Sequence, residues 1–268
     1  MYNLTDYHIH SNYSWDAGQT INQIARKAKE TGIKQACLTE HVDFHRNHPQ
    51  SFMYLDTLYE EWTKTFENGK KIFPNLRKGI EVGEPYLHTG LYEKFIKGRK
   101  FDFIMASVHW IDGYSPVSDN YFTKYAPLKD AYKLYFDEVF KLVTYGNFDA
   151  CAHLTLVHRN GKKFFPEFNY AMFKPELDDI LKLMISKKIG MEINTSGLRF
   201  AAADFVPDRE IIQAYLNFGG DRLVVGSDCH VIKDTFFGLE KAYKMFNEMG
   251  IKEITVYEDR QPRKVAIK

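Results

Sequence analysis

Histidines and acids stand at the ends of short apolar runs throughout this chain. Tyr7-His8-Ile9-His10-Ser11 closes the first run. In a strand, residues i and i+2 point to the same side, so His8 and His10 face one point together. Asp16 follows on a loop that can swing back over the same mouth. Imidazoles paired in this way suit a divalent metal ion. Such pairs also occur on exposed strands, so this motif alone leaves both readings open.

Other runs end alike. Leu38-Thr39-Glu40-His41 carries one histidine at its exit. Gly79-Ile80-Glu81-Val82-Gly83 sets a carboxylate inside an apolar run, which is costly when buried unless the charge is paired or metal-bound. The alternative is a surface-facing Glu81, although nearby Glu84 reads as the more naturally exposed of the two. Phe103-Ile104-Met105-Ala106-Ser107-Val108-His109 and Asp149-Ala150-Cys151-Ala152-His153 each run straight into a histidine. Val224-Val225-Gly226-Ser227-Asp228-Cys229-His230 repeats the i, i+2 pairing with Asp228 and His230, and Cys229 points away.

The joint pattern says more than any part, because independent core histidines would not choose the same strand end each time. Nine side chains converge: His8, His10, Asp16, His41, Glu81, His109, His153, Asp228 and His230. A tetrahedral zinc takes about four protein ligands or fewer. This set therefore suits two or three divalent ions, and nitrogen and oxygen donors without thiolate fit zinc, manganese or iron. His45 and His48 read as loop residues that are solvated or face a substrate. His88 reads likewise at the opening of a helix, and His158 is unassigned.

The elements that must position these groups alternate along the chain. Strand-like runs fall near 4–10, 33–39, 78–82, 102–109, 149–154, 189–194, 222–228 and 253–257. Helical periodicity falls near 20–31, 52–71, 89–98, 127–145, 173–187, 208–218 and 236–249. Pro207-Asp208 can start a helix, and glycines at 32, 190 and 250 mark helix-to-strand boundaries. Such alternation implies a mostly parallel sheet. An open sheet gathers ligands at one switch point, whereas a barrel gathers them from every strand around one mouth. The scatter of polar exits predicts a distorted α/β barrel of seven strands, with the metal site at the C-terminal strand ends and residues 1–268 forming one domain. The Pro-, Gly- and Tyr-rich segment 110–127 reads as a long loop over the mouth.

Composition narrows the class. Hydrophobic residues make up 44% of the chain, enough for a sizeable core, and the formal charge is +1. No basic block suggests nucleic-acid binding, and no apolar run has the length of a membrane span. The opening Met1-Tyr2-Asn3-Leu4-Thr5-Asp6 has no charged lead and apolar stretch, so no secretory leader is expected. Cys37, Cys151 and Cys229 are far apart and odd in number, which argues against a disulfide framework. Cys37 and Cys151 read as core, and the whole suits a reducing cytoplasm. Nothing indicates the oligomeric state.

The ordered set His8-Ile9-His10-Ser11, Thr39-Glu40-His41, Glu81, Ser107-Val108-His109, His153 and Gly226-Ser227-Asp228-Cys229-His230 resembles the PHP (polymerase and histidinol phosphatase) superfamily along nearly the whole chain. Asn194-Thr195-Ser196-Gly197-Leu198-Arg199 and Thr39-Glu40-His41-Val42-Asp43-Phe44 are similar to its monofunctional histidinol-phosphate phosphatases. The resemblance implies a distorted (β/α)7 barrel and a trinuclear centre. By position, His8, His10, Glu81 and Asp228 would hold one metal. Glu81 would bridge to a second, held also by His109 and His153, and Asp16, His41 and His230 would hold the third. Many members carry histidine where this chain has Asp16, a departure that bears on the third metal.

The expected reaction is hydrolysis of L-histidinol phosphate by a hydroxide held between the metals bridged by Glu81. Asp228 is the candidate for moving the nucleophile's proton. Arg199 and Arg159 are candidate phosphate ligands, because a planar guanidinium matches phosphate oxygens. Glu192 lies within a strand and can face the substrate. Two alternatives remain at this point. One is a PHP phosphoesterase acting on nucleotides or nucleic-acid ends, which would want a basic, aromatic groove. The other is an amidohydrolase-type C–N hydrolase, in which a lysine or lone histidine often replaces the bridging acid.

Overall fold

The computed structural model describes residues 1–44 and 54–268. The expected helix at 52–71 is seen from Tyr54, and His45 and His48 lie outside the described residues.

Seven strands form one parallel sheet in sequence order: β1 (Thr5–Ile9), β2 (Gln35–Asp43), β3 (Leu76–Gly83), β4 (Phe103–Ser107), β5 (Ala150–Cys151), β6 (Gly190–Asn194) and β7 (Leu223–Gly226). Every residue of these strands is buried. That burial explains why they read as continuous apolar runs rather than alternating ones. The first and last strands meet at a single parallel bridge, Ile9 with Cys229. There His10 N donates to Cys229 O at 3.1 Å and Asp228 N donates to His8 O at 2.8 Å. Below the bridge a side chain replaces the ladder, since Asp6 Oδ1 accepts from Ser227 N at 2.9 Å and from His8 N at 3.1 Å. The result is a nearly closed, distorted (β/α)7 barrel.

The outer helices show why their sequences are helical. In α1 (Ile21–Thr31) the buried residues Ile21, Ile24, Ala25 and Ala28 make one stripe at helical spacing. Thr20 and Gln23 form a capping box, and Gly32 ends the helix at φ 72°. The chain continues with α2 (Tyr54–Ile72), α3 (Thr89–Ile96), α4 (Asp119–Lys124), α5 (Leu128–Tyr145), α6 (Leu156–Gly161), α7 (Lys174–Ser186), α8 (Arg209–Asn217) and α9 (Leu239–Glu248). The start predicted at Pro207-Asp208 is present, with Asp208 accepting from the backbone N–H of Glu210 and Ile211. The boundary expected at Gly190 differs. Lys188 takes the left-handed turn at φ 60°, and Gly190 opens β6.

One expected strand lies outside the barrel, and one expected loop is partly helical. The run at 253–257 is β8 (Glu253–Glu258), but it pairs antiparallel with β9 (Gln261–Ala266) outside the barrel. Strand β9 escapes a reading by apolar pattern because most of its residues are exposed. The hairpin plugs the N-terminal end of the barrel. Tyr257 and Val256 pack on the inward residues Tyr7, Cys37, Phe103 and Met105, and Tyr7 Oη donates to Tyr257 O at 2.9 Å. The segment 110–127 is also not all loop. It contains the short helix α4, capped by Ser118. Cys37, Cys151 and Cys229 are all buried free thiols.

Candidate metal centre

The end of the barrel opposite the plug holds the predicted acids and imidazoles. Strand β3 carries Glu81, which is fully buried, and its register sets His41 of β2 directly alongside. Glu81 Oε1 lies 2.8 Å from His153 Nε2 and 3.1 Å from His109 Nε2. Its Oε2 lies 3.1 Å from His8 Nε2, 3.2 Å from His41 Nδ1 and 3.5 Å from His10 Nε2. Asp228 Oδ1 lies 3.6 Å from His10 Nε2 and 3.7 Å from both His8 Nε2 and His230 Nδ1. Asp16 Oδ2 reaches back as expected, 3.3 Å from His230 Nε2 and 3.5 Å from His41 Nε2. All nine predicted side chains thus meet at one place.

Backbone geometry serves this convergence. His153 and Asp228 hold positive φ of 25° and 51° just after their strands. Residues other than glycine rarely adopt that region, and it concentrates at functional sites. Gly226 permits a close approach, because a Cβ there would overlap Glu192 Oε1 and His8 Cβ.

A second layer of acids and hydroxyls orients the imidazoles. His8 Nδ1 pairs with Glu192 Oε1 at 2.6 Å, and Glu192 Oε2 accepts from His153 N at 2.6 Å. The expectation that Glu192 faces a substrate is therefore corrected, since its carboxylate is buried behind the site. His10 Nδ1 lies 3.1 Å from Ser14 Oγ, which donates to Glu40 Oε2 at 2.6 Å. His109 Nδ1 lies 3.2 Å from Asp43 Oδ1. Glu84, expected to be exposed, is buried and accepts from the backbone N–H of both His109 and Trp110. Burial pushes its carboxyl up to about 8, reinforced by Asp43 and opposed by His109. Asp43 and Ser14 were missed. His41-Val42-Asp43 repeats the i, i+2 spacing that revealed His8 and His10, so Asp43 was within reach of sequence pattern.

The electrostatics are those of tightly packed opposite charges. Burial opposes ionisation of Glu81, yet His8 and His109 hold its carboxyl well below the usual range. Asp228 is depressed in the same way by His8, His10 and Arg159. Burial also disfavours a charged His8, but Glu192, Glu81 and Asp228 outweigh it and raise its pKa well above normal. His10 goes the other way, lowered by burial and by neighbouring His41 and His230.

Divalent ions fit this donor set. Four overlapping groups place their ligand atoms within 4.8 Å of one another: His8-Glu81-His153, His8-His10-Asp228, His41-Glu81-His109 and His10-His41-His230. His10 Nε2 and His41 Nδ1 are buried with no hydrogen-bond partner although they face carboxylates. Buried polar atoms left so are uncommon unless an unseen ion or water serves them.

A cavity of about 250 Å³ opens onto the cluster, walled also by Trp15, Trp110, Ser115, Val117, Leu156 and Arg159. Arg159 Nη1 donates to Asp228 Oδ2 at 2.9 Å, and its buried Nε has no partner. Arg199 stands behind the same rim and donates from Nη1 to Ser227 O at 3.0 Å and from Nη2 to Asp228 O at 2.9 Å. It does not line the cavity. Among the described residues, two other histidines lie apart from the cluster. His88 precedes α3, near Phe44, and His158 bonds Tyr132 Oη at 2.9 Å.

Known proteins resemble this chain throughout. Residues 6–196 match the PHP domain. The histidinol-phosphatase of Lactococcus lactis is 26% identical over 261 residues, covering 94% of this chain and 93% of the relative. A Clostridium acetobutylicum protein named "Probable histidinol-phosphatase" is 24% identical, over 93% of this chain and 95% of its own. The crystal structure of the Lactococcus lactis histidinol phosphate phosphatase, complexed with zinc, L-histidinol and phosphate, superposes with a TM-score of 0.83 at 23% identity, covering 98% of this chain and 99% of that one. With the match to residues 6–196 spanning most of its length, the chain belongs to the PHP domain family.

Proposed function

We propose that this protein is a metal-dependent phosphomonoesterase that hydrolyses L-histidinol phosphate to L-histidinol and phosphate, a step of histidine biosynthesis. The observation that carries this reading is Glu81, whose buried carboxylate lies within 3.5 Å of nitrogens from five histidines at one mouth of the barrel. Its support in kind is the histidinol-phosphatase relatives, which align over nearly the full chain.

His8, His10, Glu81 and Asp228 would hold one ion. Glu81, His109 and His153 would hold a second, and Asp16, His41 and His230 a third. Two to three divalent ions, with zinc, manganese and iron as candidates, would neutralise phosphoryl charge and make a water acidic enough to ionise near neutral pH. The residues do the remaining work. Glu192 fixes the His8 ring so that Nε2 faces the cluster. Asp228, which lines the cavity, would take the proton released by the attacking water. Arg159, on the cavity wall, would offer its guanidinium to phosphoryl oxygens, whereas Arg199, expected as a second phosphate ligand, braces the same rim from behind through Ser227 O and Asp228 O. Negative charge spreads over the phosphoryl oxygens in the transition state, so fixed guanidinium donors bind it more tightly than the ground state.

Among the described residues no helix is long and apolar enough to cross a membrane. The free thiols and the small-molecule substrate suit the cytoplasm. The test is phosphate release from L-histidinol phosphate, nucleoside monophosphates, bis-p-nitrophenyl phosphate and an amide. Highest kcat/KM on histidinol phosphate is expected, and a preference for the diester or the amide would overturn the reading.

A further inference from the structure

Helix α6 carries Arg159 to the cavity, yet it has only six residues, Leu156–Gly161. A helix this short has little stability of its own and must be held by its surroundings. Its first turn grows out of the centre, with Leu156 N donating to His153 O at 2.8 Å. On the surface side Asn160 Nδ2 donates to Val117 O at 3.0 Å, and Ala202 N donates to Arg159 O at 2.9 Å. On the core side one polar side chain anchors it. His158 Nδ1 lies 2.9 Å from Tyr132 Oη on α5, and its ring packs on Phe168 at 4.4 Å between centroids. Tyr132 itself is fully buried. Consecutive helix residues diverge by about 100°. His158 therefore locks the helix into the aromatic layer while Arg159 reaches out to Asp228 and over the Phe200 ring, 4.8 Å from its centroid.

We propose that the His158–Tyr132 hydrogen bond is a positioning device for Arg159, setting the rotation of α6 so that the guanidinium meets the phosphoryl group. This rests on the reading of Arg159 as a phosphate ligand. The bond acts on substrate binding and leaves the metal ligands in place. Small displacements of a positioning group are costly, since about 1 Å of misplacement can forfeit up to about 100-fold in rate.

The experiment uses the metal-loaded full chain and reads KM and kcat on L-histidinol phosphate, competitive inhibition by inorganic phosphate, metal content and melting temperature. His158→Phe keeps the ring stack and removes the ring nitrogen, Tyr132→Phe removes the hydroxyl, and His158→Asn offers a polar atom near the place of Nδ1. Each Phe variant is expected to raise KM and the phosphate inhibition constant about tenfold, with kcat changed less and metal content unchanged. His158→Asn should recover part of the loss. In an Arg159→Met background His158→Phe should add nothing further, because its effect passes through the guanidinium. Full additivity there, or loss of metal in His158→Phe, overturns the proposal in favour of a general structural role. If Arg159→Met impairs phosphate binding while neither Phe variant does, the positioning proposal alone fails. If Arg159→Met changes nothing, the phosphate-ligand reading fails and this proposal with it.

Discussion

Glu192 Oε1 lies 2.6 Å from His8 Nδ1, and the same carboxylate accepts from His153 N at 2.6 Å through Oε2. One acid on β6 thereby sets the ring of a residue from β1 and the backbone of a residue after β5. It links three strands of the barrel behind the centre. Asn194 Nδ2 donates to it at 3.2 Å, so the network is nearly complete without solvent.

Replacing Glu192 with glutamine should show how much that link matters. An amide can donate to Nδ1, which favours the tautomer that carries the proton on Nε2, the wrong one for a metal. Loss of a partner of this kind typically costs about 10- to 100-fold in metal affinity or activity. Glu192→Gln is expected to show that loss with a melting temperature close to wild type. Unchanged metal affinity and turnover would assign Glu192 to packing.

Glu81 gives a sharper expectation. A bridging carboxylate and a merely buried one differ in what their removal does. Glu81→Ala should abolish measurable turnover, and it should leave a folded protein with reduced metal content. Activity, metal content and melting temperature from one preparation separate the cases. Near wild-type turnover would rule out the bridge.

The two arginines should differ in degree. Losing a charge-assisted contact in a shielded site costs roughly 2–4 kcal/mol, or about 30- to 1000-fold in kcat/KM. Arg159→Met is expected in this range on histidinol phosphate and to lose less on bis-p-nitrophenyl phosphate, which has one charge and fewer free oxygens. Arg199→Met should lose less on the monoester than Arg159→Met, because two backbone carbonyls already occupy its fork. Parallel kinetics on both substrates check the order, and the reverse order would make Arg199 the primary contact.

Much of the centre was legible because period-2 strands and one-sided barrel geometry convert spacing into direction. The i, i+2 spacing paired His8 with His10 and Asp228 with His230, and the recurrence of such residues at the same strand end marked them as ligands. Glu192 was seen but misplaced, since a strand buried on both faces does not tell which inward residues meet solvent. Glu84 was misjudged for a related reason. A carboxylate beside a glycine reads as exposed, whereas here the backbone N–H groups of His109 and Trp110 satisfy it in the interior. The β8–β9 hairpin was only half visible, because β9 presents Gln261, Arg263 and Lys264 to solvent and has no apolar period. Helix α6 is too short for helical periodicity to emerge.

Away from the centre, Lys78 offers a test of buried charge. Its Nζ donates to Thr63 Oγ1 at 2.6 Å and sits 4.4 Å from the Tyr59 ring centroid. Burial lowers its pKa to about 8, opposed by Glu67 and Glu60. The unfolded value is about 10.4. Between these values the unfolded chain binds more protons, so this residue makes stability rise with pH across that window and fall as pH returns to about 8. Lys78→Met should flatten that rise in denaturant titrations at successive pH values. An unaltered slope would mean that Lys78 stays charged in the folded protein.

The central claim is that a multinuclear cluster drives hydrolysis of L-histidinol phosphate. The most direct measurement strips the protein with chelator, then follows phosphate release from L-histidinol phosphate against added zinc or manganese, with bound metal determined on the same samples. The account predicts that stripping abolishes release and that activity returns only as occupancy passes one equivalent per chain, saturating at two to three. Full activity at or below one equivalent, or activity that survives complete removal of metal, would contradict it.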